Sequence, residues 1–575
     1  MSYRRFSNFT FNAVVGIISF ASSRTVLLNR FLRAMNFVSS SKIRIVGFYL
    51  LLIVFACLPI WSVERYFNQD GSPHLYNAYM MLELFKDNPA FTQFFEFNPA
   101  PIPNLSGHYL LVFLLLFFSP PIVTKIMVSL LYAAFVASVG WLRKQVVGQE
   151  DFQITLLIGA ALGFNWMWFL GFYNFLIGVV GFVFTLGLYW RWRENLNFSR
   201  SLVLAVLLIV VYFSHLISFG MLAGSIVLFS LFVSRQNLKR AVFWTFASLL
   251  PVLPLIINYK LLSAEGGEIA PVWRYLENPL SLSNWFSHLQ AADPFQLISR
   301  KAIPFFTGTL GLFAILSPTL WLTIAFFCLA AATIRFNADR KLFTRQTVPF
   351  FLILTGAVLV WIFAPDDFGK THGGFLRERV LFCGLICFIP LFHTGASRFL
   401  KYAATACLIF VLGFQSLVLW NYASVADKSG AEFLSGQSAL TDDDSLGSIV
   451  LTDTGCRFKA NPLPSMGVLY GIGKNTRMWD NYEAGFYVFP TVLKNPNERR
   501  FLNEFRESSN FDLCDSGGKT ADKFVKLNSI LLLNNDKIKV ILIWGDDERI
   551  LPIINQWYEN QPFFQNGKIR LFRHR

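Results

Sequence analysis

The chain has 575 residues, 54% of them hydrophobic and only 15% charged, with a mean hydropathy of +0.47. That composition excludes an ordinary soluble protein, because too little polar surface is present, and lipid must solvate much of the chain. The formal charge of +15 has a telling distribution: residues 421–575 balance 19 Lys+Arg against 19 Asp+Glu, while residues 1–420 hold 31 against 16. A surplus confined to the apolar part reads as positive-inside loops and excludes a nucleic-acid surface.

Residues 1–44 carry Arg4, Arg5, Arg24, Arg30, Arg33, Lys42 and Arg44 and no acid, the pattern of a cytoplasmic N-terminal segment. A first span, 45–61, leads out to a first outer loop, 64–106. His108 opens a short second span that ends at Ser119, Pro120 and Pro121, and a third follows to about Trp141. The stretch 154–190 is long for one crossing and short for three, and its middle, GFNWMWFLGFYNF, holds Gly163, Gly171 and Asn174 and reads as bent. The basic segments 191–200, 235–240, 335–345 and 397–401 are predicted inside. Between the first two lies an apolar hairpin with His215 near its outer tip.

The same rule makes 260–303 and 365–379 outer loops and brings the last span, 403–420, out. With the N-terminus in and the tail out, the number of crossings is odd. It reaches about eleven if 154–190 crosses once with a re-entrant dip. The tail, 421–575, is predicted to be a small extracytoplasmic α/β domain, with strands at 448–453, 539–545 and 569–572 and helices near 495–507 and 548–559. Cys456 and Cys514 lie in this tail, where a disulfide between them is open; the other five cysteines sit in apolar runs as packing residues.

Two polar segments stand at the predicted outer surface. In QDGSPHLYNA (69–78), Pro73 and the residues after it suggest an amphipathic helix along the interface, with Asp70 or Ser72 at its N-cap. A partly desolvated carboxylate there serves as a general base or as an acceptor for a substrate hydroxyl; simple capping is the alternative. His74 is close enough to share the site. In PDDFGKTHGGFLRER (365–379), Asp366, Asp367 and His372 are ligand types without a fixed spacing, so no metal site and no cofactor are assigned, with a divalent cation left open.

Arg377 and Arg379, just before a returning span, suit a lipid-linked phosphate gripped by a guanidinium fork; headgroup anchoring is the alternative. His372, and His215 at its hairpin tip, are placed with them on the donor phosphate; for His215 a helix-to-helix hydrogen bond is the alternative. His108 and Asn174 lie in or beside spans, where they face a cavity or bond to another helix. Trp273, Arg274, Trp285 and His288 cover a lipid or sugar or form an interfacial belt. No P-loop, GxSxG, HExxH or paired CxxC competes.

These residues and their order resemble the GT-C superfamily of integral-membrane glycosyltransferases. The likeness lies in QDGSPHLYNA soon after the first span, the multi-span core and the terminal domain. GGFLRERVLF (373–382) and DNYEAGFYVFP (480–490) also look like segments of bacterial membrane proteins of this sort. Many members pair acids in the first loop; here Asp70 has no acidic neighbour, Glu64 being six residues before. The resemblance implies a bacterial inner-membrane enzyme that transfers a sugar with inversion from a polyprenyl-phosphate donor to a glycan, lipid or protein acceptor on the outer face. Asp70, with His74, would act on the acceptor hydroxyl, and Arg377 or Arg379 would hold the phosphate. Two other classes stay open: a transporter or flippase of a lipid-linked or anionic solute, and a non-catalytic assembly protein for envelope polysaccharide.

Overall fold

In the computed structural model the structure describes residues 42–262, 281–298, 317–336, 347–365, 374–395, 397–454, 457–513 and 519–575. Asp366, Asp367, His372, Trp273, Arg274 and the Cys456–Cys514 pair lie outside them. Two contact units divide the chain at Phe55/Ala56. The boundary falls inside the first helix, α1 (Lys42–Trp61).

Helices dominate from there: α2 (Gly71–Phe85), α3 (Ser106–Leu115), α4 (Pro120–Val146), α5 (Phe152–Gly163), α6 (Trp166–Leu170), α7 (Tyr173–Trp192), α8 (Phe198–Ser214) and α9 (Leu216–Ser230). Then come α10 (Leu238–Leu249), α11 (Leu253–Leu262), α12 (Leu282–Ala291), α13 (Pro318–Phe336), α14 (Val348–Phe363), α15 (Leu376–Ile386) and α16 (Arg398–Phe433). Six described helical segments are long and apolar enough to cross a membrane: Ile43–Trp61, Pro120–Val146, Tyr173–Asn195, Leu238–Leu261, Pro318–Arg335 and Arg398–Ala439. α3, α5, α8, α9 and α14 are apolar but shorter. Large side chains such as Phe243, Phe246, Phe327, Phe399 and Leu417 stay exposed on these helices, as lipid-facing residues do.

The bent stretch after Gly163 resolves into a break. Asn165 caps the short α6 by accepting from the Trp168 amide at 3.0 Å, and Gly171, at φ +83°, ends it in the left-handed region. α7 then starts afresh, so residues 154–190 form three helices.

The tail carries a mixed sheet. Strands β2 (Ser445–Thr452), β3 (Arg477–Met478), β5 (Asn510–Asp512), β6 (Val540–Trp544), β7 (Phe564–Asn566) and β8 (Ile569–Arg573) pair in the order β3-β2-β6-β8-β7, with β5 also on β2. β2 runs parallel to β3, β5 and β6, with Leu446 opposite Val540 and Val450 opposite Trp544, and every residue of β2 is buried. A strand with no polar face belongs in a covered sheet, and α17 (Pro496–Ser509) and α18 (Lys519–Asn534) accompany it. The helix expected over 548–559 is shorter, reduced to two turns at Glu548–Ile550 and Leu551–Ile554. α16 runs unbroken from the last apolar stretch towards this sheet.

A second pairing holds the first loop to the tail. β1 (Phe95–Phe97) lies antiparallel to β4 (Thr491–Leu493), with Phe95 opposite Leu493 and Phe97 opposite Thr491. Asn98 reinforces it by donating to the Tyr487 and Phe489 carbonyls at 2.6 and 3.1 Å. α2 is therefore covered on most sides. Twelve of its 15 residues are buried, against the expectation of a half-exposed interfacial helix.

Candidate active site

Asp70 holds the N-cap position of α2, yet its side chain makes no capping bond. Its amide donates to the Leu170 carbonyl at 2.7 Å, pinning the start of α2 to the end of α6. Gly71 permits this approach: a β-carbon there would collide with Asn68 and lie 2.7 Å from the Tyr173 hydroxyl, which itself donates to Asn68 at 2.9 Å. The carboxyl is thus set by backbone and left free for other work. Asp70 keeps part of its surface accessible although protein surrounds it. Burial raises its pKa to about 6, opposed by His74, Arg506 and Arg379 and reinforced by Glu483. The Tyr482 hydroxyl is hydrogen-bonded to it, and Arg506 stacks 4.1 Å from the Tyr482 ring.

Beside Asp70 sits a fully buried carboxylate, Glu483, brought in by the tail. His108 Nε2 lies 2.8 Å from its Oε2, and Asn77 Nδ2 donates to the same oxygen. His74 Nδ1 touches Oε1 in ion-pair contact, off the line of a hydrogen bond. Asn77 is held in turn by the Thr491 hydroxyl, which donates to its Oδ1. Burial alone would raise the Glu483 pKa, but the two imidazoles hold it well below the usual carboxylate range. Burial likewise works against charging His74, but the adjacent Glu483 outweighs it and holds that ring's pKa above its ordinary value.

Arg379, one turn into α15, is near enough to Asp70 to act on its charge. Its guanidinium lies 4.5 and 5.3 Å from the Phe172 and Phe175 rings, and Nη1 is 3.2 Å from His215 Nε2. Its Nε is buried and, among the described residues, has no hydrogen-bond partner. Phe375, at φ +61°, starts α15 and packs on Trp166 and Phe172, which fixes where Arg379 emerges.

Of the residues singled out from sequence, Asp70, His74, His215 and Arg379 come together from α2, the α8–α9 turn and α15. Arg377 points elsewhere: it is fully buried, its Nε donates to the Trp361 carbonyl at 2.7 Å, and Nη1 lies 3.3 Å from His288. His108 is a partner of Glu483, and Asn174 accepts from the Gly107 amide at 2.7 Å. Sequence reasoning missed Tyr482, Glu483 and Arg506 as site residues. The signal was DNYEAGFYVFP, two acids and four aromatics close together in a tail otherwise patterned for strands and helices.

No protein-family model and no curated protein matches the chain. Among solved structures, the chain is similar to the crystal structure of ArnT from Cupriavidus metallidurans bound to undecaprenyl phosphate. Identity is 10% and the TM-score 0.48, over 93% of this chain and 98% of that one. It is also similar to the same protein in the apo state, at 12% identity and TM-score 0.42, over 92% of this chain and 98% of that one.

Proposed function

We propose that this chain is a GT-C-type glycosyltransferase of a bacterial inner membrane that takes a sugar from a polyprenyl-phosphate donor. The acceptor hydroxyl loses its proton to Asp70 as its oxygen bonds to the anomeric carbon. The bond from that carbon to the phosphate oxygen breaks, and polyprenyl phosphate leaves with the electron pair. Asp70 suits the first task because its pKa of about 6 leaves it ionised at neutral pH while keeping it basic enough to accept a proton. Attack and departure on opposite faces of the sugar require base and phosphate site close to each other, and Asp70 and Arg379 are near enough to interact electrostatically.

One observation carries the phosphate assignment. His215 Nδ1 accepts from the Ile217 amide at 3.2 Å, so in the neutral ring the proton resides on Nε2. Nε2–H and the Arg379 Nη1–H group then face each other at 3.2 Å as two donors with no acceptor between them. An anion accepting from both resolves that conflict, and a phosphate offers the oxygens to do so. Asp70 has the wrong sign to compete for the anion, so it is left for the acceptor.

The test is transfer by the full chain in proteoliposomes, using a radiolabelled polyprenyl-phosphate sugar and extracted envelope glycolipid as acceptor pool. Asp70→Asn is expected to cut label transfer by about 10²–10⁴-fold while retaining the labelled lipid. Undiminished transfer by Asp70→Asn would remove the base assignment.

A further inference from the structure

The cluster of His74, His108 and Glu483 has an incomplete charge balance as a set of neutral rings and a carboxylate. His108 Nδ1 lies 3.0 Å from the Asn104 carbonyl, which only accepts, so the Nδ1 proton points there. The backbone of Gly171 also acts on the His74 ring, in the direction that favours a proton on it. The neutral His108 ring therefore aims its Nε2 lone pair at one oxygen of an ionised carboxylate, whose other oxygen meets His74 Nδ1. Three lone-pair donors converge in a site from which water is nearly absent: exposure is 5% for His74 and 0% for His108 and Glu483. One cation shared by all three would satisfy those lone pairs.

The arrangement has further marks of a metal centre. The donor atoms lie within 4.8 Å of one another, the compass of a single ion's ligand shell. His108 has its second nitrogen on the Asn104 carbonyl at 3.0 Å, the usual device that sets the tautomer and aims the ring of a metal-bound histidine. Glu483 has its own support in the Asn77 amide, which is in turn held by Thr491. Phe489 and Tyr173 wall the site, their rings 6.3 and 5.5 Å from that of His74, giving the apolar surround that strengthens ion–ligand contacts. Two nitrogens and one carboxylate oxygen select a borderline ion over calcium or magnesium, which prefer all-oxygen shells.

We infer that His74, His108 and Glu483 bind one divalent transition-metal ion of the zinc class, tying the tail to α2 and α3. The inference does not depend on the transfer reaction. It holds or fails on metal content, whatever the chain's activity.

The experiment uses the full-length chain in detergent micelles, stripped with chelator, reloaded with Zn2+ alone, desalted and measured for metal by mass spectrometry. Reloading with Co2+ gives a visible absorption band that reports nitrogen ligation. One ion per chain is expected, with zinc affinity lowered at least about a hundredfold in Glu483→Gln and in His74→Gln, since even outer-shell changes cost 10–100-fold. The wild-type measurement stands even if a variant fails to fold. A wild-type chain with an intact melting transition that stays metal-free after loading overturns the site. So does equal zinc uptake by a folded Glu483→Gln variant. Either result would leave the cluster as a buried polar contact between a carboxylate and two histidines.

Discussion

Arg379 Nη1 and His215 Nε2 lie 3.2 Å apart, and both are donors once the Ile217 amide has taken the lone pair of His215 Nδ1. Such a pair is poorly matched alone and well matched around an anion. Replacing Arg379 with Gln is expected to weaken binding of a soluble isoprenyl phosphate by about 10- to 100-fold, the loss of one charge-assisted hydrogen bond at 1.5–3 kcal/mol. Arg377→Gln is expected to leave that affinity unchanged and to lower the melting temperature, because its guanidinium serves the Trp361 carbonyl. Titration calorimetry and thermal melting of both variants separate the two roles. Equal affinity loss in both would mean that the phosphate sits elsewhere.

The Asp70 carboxyl titrates near 6, pushed up by burial. A general base works only when ionised, so transfer is expected to rise as pH passes upward through about 6, to level above it, and to fall below it. Asp70→Asn should remove that limb and reduce the rate by about 10²–10⁴-fold, the usual contribution of a positioned base. A rate profile between pH 5 and 8 checks this. A wild-type profile flat through that range would exclude Asp70 as the group that takes the proton.

How much of this could be read in advance differs by residue. The tail strands were legible because SIVLTD, KVILIWG and IRLF are short β-branched or apolar runs between turn residues, and β2, β6 and β8 fall on them. Asp70, His215 and Arg379 were legible as neighbours because the charge bias of the loops put each on the same side of the chain's crossings. Glu483 and Tyr482 were not. They lie about 400 residues from α2, and it is the β1–β4 pairing, three residues long with no alternating pattern of its own, that brings them there. Arg377 and Arg379 part for a simple reason: two residues apart on a helix means opposite sides. Arg379 therefore faces His215 and Arg377 faces Trp361 and His288.

At another point in the bundle, Arg143 is fully buried, and its Nη1 donates to the Ile389 and Phe392 carbonyls, each at 2.8 Å. Its ring partner is Phe392 at 4.3 Å, and Nη2 lies 3.9 Å from Asp151, which also accepts from the Thr394 amide at 3.0 Å. α4, α5 and the segment after α15 meet at this one side chain. Arg143→Met keeps most of the volume and removes all the donors. It is expected to cost roughly 1–3 kcal/mol for each carbonyl left unsatisfied, while Asp151 keeps Lys401 at 3.3 Å. The readout is a lower melting temperature with unchanged phosphate affinity. A variant as stable as wild type would show that the carbonyls find other donors.

The last prediction separates an enzyme from an assembly protein that uses its tail to hold partners. Tyr482 and Arg506 reach Asp70, and Glu483 reaches His74 and His108, so the tail is part of the site. A chain ending before residue 445 is expected to lose transfer entirely, but that result alone fits either role. Tyr482→Phe is the sharper probe, since it removes one hydroxyl from Asp70 and leaves the ring stacked under Arg506. If the tail serves the reaction, this change lowers the transfer rate about tenfold, as expected for one lost hydrogen bond to a charged group. It should also shift the acid limb of the pH profile upward, because the carboxylate loses a donor that favours its ionised form. Neither tethering a partner nor folding the sheet responds to that hydroxyl. A Tyr482→Phe chain with wild-type rate and unshifted profile would assign the tail to scaffolding alone.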